Sequence, residues 1–196
     1  MFRSGPVCLT ARYLSGVYSS LTQQTEPKAG REFFEHSHDI PHDFFLFLSD
    51  LHMNHSPWMS VAFAEVGVNT YPPGQSNPRV TEYHEHTNIC GYDDKASWCS
   101  SFINWSLAQV GIVGTQSALA RSWLEWGDVL TEPVPGCIAV LSREDPAGWK
   151  GHVGFFLRAD DVHVHLLGGN QLAQVREHFY PKASVLSYRW PTKIAL

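Results

Sequence analysis

The chain has no CxxC pair, no long basic run and no apolar stretch near the roughly 18 residues that cross a membrane. Its four cysteines, Cys8, Cys90, Cys99 and Cys137, are widely spaced. That spacing suits neither a disulfide framework nor a cysteine-based zinc site, and it leaves room for one reactive thiol among three passive ones. Positive charge is scarce: 14 Lys and Arg face 19 Asp and Glu, for a net charge of −5. A nucleic acid or an anionic membrane is therefore not the expected partner. The opening MFRSGPVCLTARYLSG lacks the compact apolar core of a cleaved signal peptide. Work outside the cytoplasm would need another export route. No internal repeat and no low-complexity segment is visible.

What is present reads as globular. Hydrophobic residues make up 43% and charged residues 17% of 196, enough for one sizeable domain or for one domain plus an extension. Residues 1–55 form that extension. Phe33, Phe34, Phe44, Phe45 and Phe47 suggest that it packs on the core, with breaks at EPKAG (26–30) and Pro41. His36, His38, Asp39 and His42 match no strong zinc spacing and read as a solvated turn, so no metal and no other cofactor is expected.

From Ser56 onward elements can be read, and residues 56–196 are taken as the catalytic domain. Ser56-Pro57 is a helix start, followed by Met59, Ala62, Phe63 and Val66 at helical spacing and a stop at Gly67. YPPGQSNP (71–78) is a loop, and Asn77-Pro78 opens a second helix through about Thr87. His84 and His86, two apart, do not share a helix face and make no chelating pair. A short helix is expected from Ser117 to Trp126. Beyond Gly127 come short apolar or alternating runs: Cys137–Leu141, His152–Leu157, Val162–Leu167, Leu172–Phe179 and Val185–Trp190. Helices first and consecutive strands after predict an α+β domain, its helices packed on a mostly antiparallel sheet.

The stretch SWCSSFINWSLAQVG (97–111) carries the chemistry. Phe102, Ile103, Leu107 and Val110 share one arc of a helical wheel with Cys99, Asn104 lies opposite, and Gly111 is a C-terminal stop. A thiol in the first turn of a helix gains thiolate character from the helix dipole. Taken alone, Cys99 reads equally well as a small buried hydrophobe. A cysteine hydrolase also needs an imidazole to move the thiol proton and a polar group to orient that imidazole. His152, opening a strand after Gly151, is the candidate base. Asn170, in the GGNQ that follows the next strand, is the candidate orienter, since a side-chain carbonyl can hold one ring N–H and leave the other nitrogen facing the thiol. His165 is the rival orienter, with His163 beside it. The backbone N–H groups of Cys99 and Ser100, unpaired at a helix start, are the candidate oxyanion donors.

WCSSFINWSLAQVG, ALARSWLEWG, PGCIAVL, GHVGFFL, LLGGNQ and VLSYRWP, in that order, resemble the NlpC- and CHAP-type superfamily of papain-like cysteine hydrolases. The likeness is greatest to a small bacterial branch with WC-x-x-F-x-NW, SALARSW, GHVGF and GGNQ. SPWMSVAFAEVGV and SNPRVTEY look like the opening of the same branch. The resemblance spans about residues 56–191. It implies a papain-like α+β fold and cleavage of amide bonds in bacterial cell-wall peptide, with Cys99 as nucleophile, His152 as base and Asn170 at the variable third position. Cys137 departs from the Asp that relatives often carry there in a PGD turn. The resemblance also implies a phage lysin or a secreted antibacterial effector acting in the periplasm or on the wall, the latter met by a cognate immunity protein that plugs the cleft. Two alternatives share the same residues: a deamidase or transglutaminase-like toxin acting on a protein, and an inactive wall-binding module.

Overall fold

Among the described residues, local signals set three helices. In α1 (Pro57–Ala64) proline occupies the first turn, where its missing N–H costs nothing. Trp58, Met59 and Ala62 are buried, whereas Phe63 and Val66, expected on the same face, are exposed. In α2 (Pro78–His84) the Asn77 side chain accepts the Arg79 N–H at 2.9 Å, and the helix ends at His84 rather than Thr87. The His84 ring is fully buried and bonded to Ser101 Oγ at 2.9 Å, a structural tie between α2 and the third helix. That helix, α3 (Cys99–Ala108), stops before Gly111, whose φ of 77° suits glycine. The computed structural model describes residues 56–192, so the expected packing of 1–55 and the histidine cluster at 36–42 lie outside the described residues.

Six strands follow: β1 (Asp128–Leu130), β2 (Ile138–Ser142), β3 (Gly151–Ala159), β4 (His163–Gln171), β5 (Gln174–Pro181) and β6 (Val185–Trp190). They form one antiparallel sheet in the order β1-β6-β2-β3-β4-β5. The α+β class is as expected. The short β1 lacks an apolar run and was not foreseen, and the helix expected from Ser117 is a 3-10 turn at Ala120–Glu125.

Strand alternation gives the sheet two apolar faces. Ile138, Val140, Val153, Phe155 and Leu167 pack with Phe102, Ile103 and Leu107 of α3. Cys137, Ala139, Leu141, Phe156, Val164 and Leu166 form a second cluster, joined by Tyr180 and Tyr188. Helix α3 is buried on every side, including Asn104, which was expected on an outer face. The segment after the helix covers that polar side. Gly114 passes so close that a Cβ there would meet Asn104 Oδ1 at 2.3 Å. Asn104 accepts the Gln116 N–H at 2.8 Å and donates to Ser100 O at 2.9 Å. Ser100 Oγ in turn donates to Ser117 O at 2.6 Å and accepts Trp123 Nε1–H at 2.8 Å. These bonds fix the first turn of α3 without spending its backbone N–H groups.

Candidate active site

The site begins where two strands part. Strand β3 pairs with β2 through Gly151, but its pairing with β4 stops at Phe155–Leu167. The β4-side edge of β3 is therefore open at Val153 and His152, and the first turn of α3 meets the strands there. Gly169 of β4 permits the approach: a Cβ on it would lie 2.6 Å from the Trp98 ring and 2.7 Å from Phe102 Cβ. Any side chain at 169 would push the helix start off the sheet.

Cys99, only 6% exposed, thus brings its sulfur to the residue next to His152. Burial pushes the thiol pKa up, and the nearby N–H groups of Val153 and Ser100, which favour the thiolate, offset this only in part. The expectation of a thiolate made ready by the helix dipole is corrected accordingly: desolvation outweighs the first-turn effect.

His152 points to the opposite face from Val153, beside Leu141 and the second apolar cluster. Burial pushes its pKa down to about 4. The hydrogen bond to Gln171 opposes that fall, while the neighbouring Arg143 and His178 add to it. Both resting partners are therefore neutral near pH 7. The His152 Nε2–H donates to Gln171 Oε1 at 3.2 Å, and the ring stacks on Tyr180 with centroids 5.0 Å apart. Tyr180 OH donates to the same oxygen at 3.0 Å. The Gln171 Nε2 group donates to Leu166 O at 3.2 Å and to Arg176 O. Two carbonyls on the nitrogen side fix which way the amide faces, so Oε1 must be the atom toward His152. An acceptor at Nε2 keeps the proton there and leaves the Nδ1 lone pair free. Burial raises the Tyr180 phenol, and negative charge at Cys99 raises it further, which puts thiol and phenol within electrostatic reach.

The residue that holds the imidazole is thus Gln171, not Asn170. GGNQ is not a turn after the strand. It lies inside β4, with a register shift between Gly168 and Gln171 and Asn170 at φ 58°. The turn comes one step later, at Leu172 and Ala173, both at positive φ. The bulge at Asn170 re-aims the next side chain, so Gln171 turns in. Gly168 leaves room for it, since a Cβ there would sit 3.3 Å from the Gln171 amide carbon. Among the described residues nothing hydrogen-bonds the Asn170 side chain, although it lines the same cavity as His152.

His165 is not the orienter either. It pairs in register with Arg158, six residues beyond His152, or about 20 Å along the strand. Its ring contacts Glu177 at 3.1 Å and Asp160 at 3.3 Å instead. His163 packs on Phe179. The N–H groups of Cys99 and Ser100 precede Phe102, whose N–H bonds to Trp98 O at 3.0 Å, so both lack a partner within the helix.

A cavity of about 240 Å³ adjoins the imidazole, lined by Arg143, His152, Asn170, Gln171, His178 and Tyr180 among others. A larger groove of about 590 Å³ along β1 and β6 contains neither Cys99 nor His152. Among the described residues no group of three His, Cys, Asp or Glu could hold a metal, and no helix is long and apolar enough to cross a membrane. Sequence reasoning missed Gln171, Tyr180, Arg143 and His178. The available signals were the last letter of GGNQ and the alternation in EHFY.

No protein-family model and no curated protein matches the chain. One solved structure that does match is a lipoprotein-like protein of the NLP/P60 family from Staphylococcus aureus subsp. aureus Mu50, at 13% identity and a TM-score of 0.41. The match covers 78% of this chain and spans half the length of that protein, 50%.

Proposed function

We propose that the chain is a papain-like cysteine hydrolase that cleaves amide bonds in bacterial cell-wall peptide, with Cys99 as nucleophile, His152 as general base and acid, and Gln171 as orienter. The observation that carries the reading is the junction at the open edge of β3. There a first-turn thiol meets a strand whose next side chain is an imidazole held in the Nε2–H tautomer. The wall substrate is supported by the ordered motifs from WCSSFINW to GGNQ.

In this mechanism the sulfur attacks the amide carbon as His152 Nδ1 takes its proton, so charge appears only with substrate in place. The carbonyl oxygen becomes an oxyanion held by the Cys99 and Ser100 N–H groups. Collapse breaks the C–N bond, and the imidazolium returns its proton to the leaving amine. Water, deprotonated by the same nitrogen, then cleaves the thioester to a carboxylate and restores the thiol.

The test is digestion of purified peptidoglycan by the full chain and by Cys99→Ala, with mass analysis of the soluble fragments. New amine and carboxylate ends with the native chain only are expected. Equal release by both proteins, or none by either, overturns the proposal.

A further inference from the structure

The cavity beside His152 is lined by one permanent charge, that of Arg143, and by no acid. Arg143 follows directly on β2, whose Leu141 and Ser142 pair with His152 and Gly151, so it stands at the same end of the sheet as the imidazole. Its guanidinium takes part in no hydrogen bond or ion pair among the described residues. The adjacent acid, Glu144, feels the charge of Arg143 but makes its hydrogen bonds elsewhere, with its two oxygens on Lys150 Nζ at 2.9 and 2.8 Å. No Asp or Glu lines the cavity, and His178 adds a second basic group. The Asn170 amide, without a partner, opens onto the same space.

We infer that Arg143 anchors a carboxylate of the substrate in this cavity, with the Asn170 amide as a second donor; the inference rests on the cysteine hydrolase reading above. A guanidinium is always charged and presents paired N–H groups that match a carboxylate, so an anionic acyl or amine portion is the chemistry that fits. The charge of Arg143 opposes protonation of His152 and favours the Cys99 thiolate, so a carboxylate seated there shifts both partners in opposite senses and the anchor acts through binding. An anionic substrate therefore binds better than a neutral one of the same shape.

The experiment separates this from the hydrolase reading by using two alkylating agents of similar size, iodoacetate and iodoacetamide. Rates at Cys99 are followed on the full chain at low salt, with the modified cysteine identified by mass spectrometry. The iodoacetate-to-iodoacetamide rate ratio is expected to fall about tenfold in Arg143→Gln and to recover in part in Arg143→Lys, with added salt shrinking the difference. An unchanged ratio in Arg143→Gln overturns the anchor while leaving Cys99 a reactive nucleophile. A Cys99 inert to both agents overturns both readings. A second arm digests native peptidoglycan and peptidoglycan whose carboxylates have been amidated. Arg143→Gln on native wall should match the native chain on amidated wall, and should not respond to amidation. A native chain that cleaves both walls equally well overturns the anchor alone.

Discussion

Gln171→Ala is the substitution that most directly probes the site. The Gln171 side chain is 1% exposed and holds four partners: His152 and Tyr180 donate to its oxygen, and its nitrogen donates to the carbonyls of Leu166 and Arg176. A neutral hydrogen bond contributes about 1 kcal/mol net, and a buried group left without a partner costs about 1–3 kcal/mol. The adjoining cavity admits water to some of the orphaned groups, which lowers the sum. A loss of about 2–4 kcal/mol in urea unfolding is therefore expected. Turnover on peptidoglycan should fall about 10- to 100-fold in the folded fraction with little change in KM, because only the imidazole's tautomer and aim are disturbed. Nitrogen NMR of His152 should show one tautomer, protonated at Nε2, in the native chain and a mixture in the variant. Folded Gln171→Ala that retains native turnover and a single tautomer would refute the assignment. Tyr180→Phe removes one of the four bonds and keeps the ring stack, so it should cost about 1 kcal/mol and only a few-fold in rate.

Cys99→Ala should abolish cleavage while leaving the unfolding midpoint near native, since the residue replaced is small; residual wall digestion would exclude the cysteine mechanism. Gly169→Ala forces a Cβ into the Trp98 ring, and the helix start must move. It should cost about 1–3 kcal/mol and lower turnover about 100-fold, which melting and a rate assay would check. Asn170→Gly keeps the bulge, because glycine accepts φ 58° without strain, but removes a donor from the cavity, so KM should rise a few-fold with kcat near native, and His165→Ala should leave both near native; a collapse of kcat in either variant would point to that residue as the orienter. His152, with its pKa lowered from 6.5 to about 4, binds a proton more weakly when folded than when unfolded. Its contribution to stability is thus complete above pH 6.5 and is lost as pH falls toward 4, by about 3 kcal/mol at most. The pH slope of unfolding between those values should flatten in His152→Gln, and an unchanged slope would contradict the burial argument.

Most of the fold was legible because its signals are local. Asn77-Pro78 capped and opened α2 as read, and the apolar runs after Gly127 became β2 to β6. Where the reading failed, the deciding contact came from elsewhere in the chain. Asn104 looked outward on a helical wheel, but Gly114 and Gln116 cover it from ten or more residues away. Likewise, the helix start around Cys99 was visible in the sequence while the burial that raises its thiol was not. The dipole effect acts within one turn, but desolvation depends on everything packed around the sulfur.

The misplacement of the orienter by one residue has a sharper cause. Side chains alternate along a strand, so a single bulge exchanges the inward and outward sets beyond it. Without the bulge, the parity of β4 would carry on through GGNQ and turn Gln171 to the face opposite the imidazole. With Asn170 absorbing the extra residue at φ 58°, Gln171 turns toward His152 instead. The Asn170 backbone then makes the bulge, and the Gln171 amide holds the imidazole. The two glycines before them serve neighbours rather than flexibility: Gly168 makes space for the glutamine, and Gly169 makes space for the helix that carries the thiol. Each letter of GGNQ thus has a separate steric or polar task in fitting β4 to His152 and to the helix that carries Cys99. That division of labour explains why the motif stood out in the sequence while the side chain that bonds His152 did not.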